Sequence, residues 1–167
     1  MLQWWRGLFA KPEKSAAEIA DDNERTNSMG LFNTAEAYRN AAQDLAAVQR
    51  RQGFAERPVE TCFLIAAELY LKSFLRQHYE VAALEKKFRH DFRKMRKKSA
   101  RHGLKIAQAD RELMALLTED YIQRRRYLRT GPVFGNPPSA AALDRLCENL
   151  RRDVGAQLRK AGVNVRM

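Results

Sequence analysis

Proline and glycine are scarce in this chain, five and eight of 167 residues. These are few for an all-β protein, which needs a turn every ten or so positions, so helices are favoured before any pattern is read. Cysteine occurs twice, as Cys62 and Cys147, with no Cys-x-x-Cys pair and no histidine beside either. Zinc and redox motifs are therefore absent, and no metal or other cofactor is expected. Each cysteine reads as a small buried hydrophobe on an apolar helical face. Long hydrophobic runs are missing too: the longest, residues 62–67, is far below the roughly 20 residues that span a bilayer. The opening Met1-Leu2-Gln3-Trp4-Trp5-Arg6-Gly7-Leu8-Phe9-Ala10 lacks the basic start and long apolar core of a secretory signal. A cytoplasmic protein is expected.

What is present is 45% apolar and 31% charged residues in a length that suits one domain with a real core. Lysine and arginine number 31 against 20 acids, a net charge of +11, which points to anionic partners. The excess is local. The stretch from Lys86 to Lys105 carries ten basic side chains against the single acid Asp91, and the remainder is nearly neutral.

Periodicity organises the chain into helices. Residues 11–32 are polar and weakly periodic and read as a linker, so residues 1–32 form a leader, 33–162 the folded bundle and 163–167 a tail. Asn33 and Glu36 have capping-box spacing, and Tyr38, Ala42, Leu45 and Val48 recur helically up to Gly53. Pro58 suits a first turn, and the helix after it is apolar on nearly every face, as a buried central helix would be. A shorter stretch from Val81 leads into Phe88, Phe92, Met95, Ser99 and His102, spaced four, three, four and three, before Gly103 ends it. Asp110 is placed to cap a helix bearing Leu113, Leu116, Leu117, Tyr121 and Leu128. Ser139 opens the last helix, with Leu143, Leu146, Cys147, Leu150, Val154 and Leu158 inward. The expected fold is all-α: an antiparallel up-and-down bundle of four long helices plus a short one.

Several side chains carry possible chemistry. Lys86, Arg89, Arg93, Arg96 and Lys97 recur at three- and four-residue intervals beside an apolar face, a stripe suited to a phosphate backbone. Arg101 continues it, and Arg125 and Arg126 extend it if their helix lies alongside. Glu68 and Lys72 interrupt the apolar helix one turn apart, where unpaired charge is expensive, and are expected to pair. His90, beside Asp91 at a helix start, is read as an interhelical hydrogen-bonding group or cap. His78 ends a helix and needs no special role. Leu2, Trp4, Trp5, Leu8 and Phe9, with Arg6, form an aromatic segment over residues 1–12 that can pack on the bundle, a partner or a membrane surface.

Ala66-Ala67-Glu68-Leu69-Tyr70-Leu71-Lys72, then His90-Asp91-Phe92, then Tyr121 and Arg126-Tyr127 resemble in order and spacing the HEPN family, named for nucleotide binding in higher eukaryotes and prokaryotes. The likeness covers roughly residues 33–160. It implies an all-helical bundle, a homodimer, nucleotide or RNA as ligand, and an antitoxin or nucleotidyltransferase as a further partner. Glu68, Lys72, His90, Asp91, Arg126 and Tyr127 are the motif positions. Where the family has His-Asp-Leu and Arg-Tyr-Pro, this chain has His90-Asp91-Phe92 and Arg126-Tyr127-Leu128. Catalytic members carry an arginine, four to six residues and a histidine on a late helix; here Arg96 and His102 alone have that spacing, directly after the His90 motif. On one ideal helix they stand about 120° apart. The leading expectation is a non-catalytic nucleotide- or RNA-binding module. The alternatives are a metal-independent, toxin-type ribonuclease using Arg96, His102 or His90 from two protomers, and a helical interaction or membrane-surface protein.

Overall fold

Helix α3, Arg57–Leu75, is apolar on most of its circumference and can be stable in water only if other helices cover it. The computed structural model, which describes residues 14–52, 57–118 and 138–165, surrounds it accordingly. Helix α2, Ser28–Gln52, packs on one side of it, and the long C-terminal helix, Ala140–Lys160, on another. The remaining elements are α1, Ala16–Arg25; α4, Val81–Ala83, continued by a π-helical turn over Leu84–Phe88; α5, Phe92–Arg101; and α6, Gln108–Leu116, so that the C-terminal helix is α7. Among the described residues there is no strand.

A polar ladder shows the directions of the helices. Glu36 accepts from Arg151 at 2.9 Å, Arg39 donates to Glu148 at 2.9 Å, and Gln43 donates to Asp144 at 3.1 Å. The α7 partner number falls as the α2 number rises, so the two helices are antiparallel. Tyr70 of α3 also donates to Glu36, and Cys147 Sγ donates to the Phe63 carbonyl at 3.3 Å, which sets α3 parallel to α7. Phe32, Tyr70, Leu71, Leu75, Phe88, Phe92, Met95, Leu143, Leu146 and Leu150 are fully enclosed. Each such side chain contributes about 1.5–3 kcal/mol through burial. The last helix is as expected: Ser139 Oγ accepts from Ala142 N, and all six apolar stripe residues are buried.

Elsewhere tertiary contacts override the local reading. Residues 16–25, expected as linker, are helical, because Ser15 and Glu18 form a reciprocal capping box. Arg76 holds the end of this helix, donating to the carbonyls of Thr26 and Asn23 at 2.7 Å each. Helix α2 starts at Ser28 rather than after Asn33, with Asn27 Oδ1 accepting from Gly30 N; Glu36 serves the ladder and not a cap. Of the expected α2 stripe only Ala42 is buried, whereas Tyr38, Leu45 and Val48 remain exposed. Asp110 lies inside the first turn of α6, buried and accepting from Asn149 of α7, while Ala107 occupies the cap position. Leu116 is exposed, and Tyr121 and Leu128 lie outside the described residues. Cys147 is buried as expected, but Cys62 is only half-buried.

Candidate functional site

The first site is assembled at the middle of α3. Glu68 is buried, and its carboxylate accepts from Lys72 Nζ at 2.7 Å, one helical turn on. It also accepts from His90 Nδ1, at 2.8 and 3.0 Å to its two oxygens. A carboxylate only accepts, so Nδ1 of His90 carries a proton and the imidazole is held in one tautomer and orientation. The sequence places Glu68 and Lys72 together by spacing, but His90 is 22 residues away and reaches Glu68 through tertiary packing alone.

A strained turn aims His90. The stretch from Val81 to Gly103 is interrupted between Phe88 and Phe92, and His90-Asp91 stands at a helix start as expected. There Asp91 N donates to the Phe88 carbonyl at 2.8 Å, closing a four-residue turn. Arg89 occupies its second position at φ 46°, ψ −116°, the type II′ geometry that glycine normally supplies. Asp91 then caps α5, accepting from Lys94 N at 2.9 Å. The four-residue interval from Phe88 to Phe92 survives the break, so both rings stay buried.

The second feature is the basic face. Lys86, Arg89, Arg93, Lys97 and Arg101 are exposed, and Arg96 is half-buried. The stripe is shared between the π-helical turn, the Arg89 turn and α5 instead of running along one helix. Lys94 pairs with Asp91 at 3.2 Å, and Lys87 stands over the Tyr79 ring at 5.5 Å. Among the described residues, Lys86, Lys87, Arg89, Arg93, Arg96, Lys97, Lys98, Arg101 and Lys105 have no carboxylate partner, and Arg96 Nε is buried without an acceptor.

The third feature was not legible in the sequence. His78 and Tyr79, in the turn after α3, meet His102 at the end of α5. The two imidazoles stack at 4.0 Å between centroids, 10° from parallel. Tyr79 Oη lies 3.1 Å from His102 Nε2. Burial, and then the neighbouring His102, hold the His78 imidazole below its ordinary pKa. Pairing a turn with a helix end more than 20 residues later leaves no periodic trace.

No hydrogen bond joins Arg96 to His102, which is engaged with His78 and Tyr79 instead. Arg125, Arg126 and Tyr127 lie outside the described residues, as does the aromatic segment over residues 1–12. Among the described residues no three histidine, cysteine or acidic side chains gather to hold a metal ion. No described helix is long and apolar enough to cross a membrane. No family model matches the chain, and no curated protein or solved structure matches it.

Proposed function

We propose that this protein is a nucleotide- or RNA-binding module that engages phosphates through the basic face between Lys86 and Lys105. The observation that carries this reading is that, among the described residues, nine of the ten cations in that stretch have no carboxylate partner. Like charges crowded on one short stretch repel, and an anionic backbone relieves them by releasing its own counterions. The buried Phe88, Phe92 and Met95 hold the face against the bundle, so the charges are presented on a rigid support. Convergence of Glu68, Lys72 and His90 supports the HEPN-like assignment, with His90 as a positioned interhelical group. The expected homodimer is assigned to the exposed stripe of α2. In antiparallel pairing about position 43, Tyr38 meets Val48 and Ala41 meets Leu45, so the face complements itself.

The test is fluorescence anisotropy with labelled single-stranded RNA across a salt series, scoring cleavage in the same samples with and without chelator. About five phosphate contacts give a log–log slope near −3.5. Charge reversal in Arg93→Glu with Lys97→Glu is expected to weaken binding at least tenfold and flatten that slope. Salt-insensitive binding, or none, overturns the reading. Chelator-resistant cleavage that disappears in His90→Ala or His102→Ala establishes the ribonuclease alternative.

A further inference from the structure

The exposed rings at the end of α5 have a chemistry that the basic face alone does not use. His78 and His102 are both solvent-exposed, yet they lie face to face at 4.0 Å. Their support comes from beneath: Phe74 meets His78 edge-on at 5.5 Å, and Tyr79 stands edge-on to the buried Phe88 at 5.1 Å. Tyr79 is also edge-on to His102 at 5.5 Å, and its hydroxyl engages His102 Nε2. The pair is therefore held in place by the core while remaining accessible. Gly103, immediately after His102, has φ +91° and open space where a Cβ would be, so nothing at that position blocks approach to the ring. In the chain Arg101 precedes His102 and Lys105 follows three residues on, both exposed and without carboxylate partners.

Three chemical features follow. Two parallel heteroaromatic planes present a π surface that a third plane can extend. The stacked geometry, 4.0 Å between centroids and 10° from parallel, makes that surface a stacking face. Because Tyr79 engages His102 Nε2, that nitrogen is not offered to the edge of a base, so recognition is by plane and not by sequence. The cations before and after His102 in the chain would hold the flanking phosphates. Aromatic rings set in a positive groove are how proteins take unpaired bases.

We infer that the His78–His102 stack, braced by Tyr79, is a stacking platform for an unpaired nucleobase of a single-stranded nucleic acid whose backbone follows the basic face. The inference rests on the phosphate-binding reading above and names the part of the same ligand that phosphate contacts leave unread. It also gives His102 a role that does not require catalysis.

The experiment compares two probes of equal length and charge, a labelled oligoadenylate and the matching abasic oligonucleotide, on the full-length protein. Wild type is expected to bind oligoadenylate at least tenfold more tightly than the abasic strand, as one stacked base would supply. His102→Ala should lose that advantage, while its affinity for the abasic strand stays within about twofold. His102→Phe should restore it, since the ring is retained without its nitrogens. Equal wild-type affinity for both probes overturns the platform while leaving phosphate binding intact. Equal weakening of both probes in His102→Ala, with no rescue by phenylalanine, also overturns it and assigns the ring to structure. Failure of wild type to bind either probe overturns both readings together. Thermal melting of each variant, expected to stay cooperative, shows that the bundle is intact.

Discussion

Arg89 carries the clearest conformational cost in the molecule, because a side chain at φ 46°, ψ −116° crowds its own backbone. Arg89→Gly is expected to raise stability by about 1 kcal/mol in urea unfolding, and a loss would show that the turn depends on the arginine side chain. Glu68 is the opposite case, a buried charge whose Lys72 and His90 contacts offset its burial. Glu68→Gln should cost about 2 kcal/mol, since Lys72 is then left without its anion, whereas Lys72→Met should cost less because Glu68 keeps His90. His78 adds a pH dependence. Its folded pKa lies below the ordinary value near 6.5, so the unfolded chain binds more protons in that window and stability rises with pH. Thermal melts should therefore fall as pH drops through about 6.5 and level off below the folded value, and His78→Phe should flatten this part of the profile.

At the scale of elements, the π-helical turn and the Arg89 turn interrupt the stretch over which the apolar spacing runs from Val81 to Gly103. The hydrophobic interval survives the interruption: Phe88, Phe92, Met95 and Ser99 are all buried although a turn intervenes. Spacing alone cannot distinguish a continuous helix from a broken one that keeps the same interval. Helix α1 shows a different failure of local reading. It buries no residue fully, and it is attached by Arg76 through the Thr26 and Asn23 carbonyls and by Asn23 Oδ1, which accepts from Val81 N. Arg76→Ala is expected to speed amide exchange across residues 16–25 severalfold while α3 and α7 keep their protection. Unchanged exchange in α1 would mean that other contacts hold it.

At the scale of the molecule, α3 is enclosed by α2, α5 and α7, and charge is segregated to the α5 side. Among the described residues, Tyr38, Leu45 and Val48 of α2 are large apolar side chains left exposed on a long helix. Leu45→Glu with Val48→Glu should convert a dimer to a monomer in sedimentation equilibrium without lowering the melting temperature. A wild type that is already monomeric at high micromolar concentration refutes the pairing.

Local information was sufficient for the all-helical class, the central burial of α3, the Ser139 cap and stripe of α7, the pairing of Glu68 with Lys72, and the confinement of basicity to one stretch. Each depends on intervals of three or four residues or on composition, which a helix expresses wherever it packs. Tertiary structure alone decided that His90 meets Glu68, that His78 stacks on His102, that Asp110 turns inward to Asn149, and that Tyr38, Leu45 and Val48 stay outside. Those outcomes depend on which helices become neighbours and on one left-handed residue at a turn. Neither leaves a periodic mark, because contacts across twenty or more residues are chosen by packing geometry and not by the intervals that make a helix.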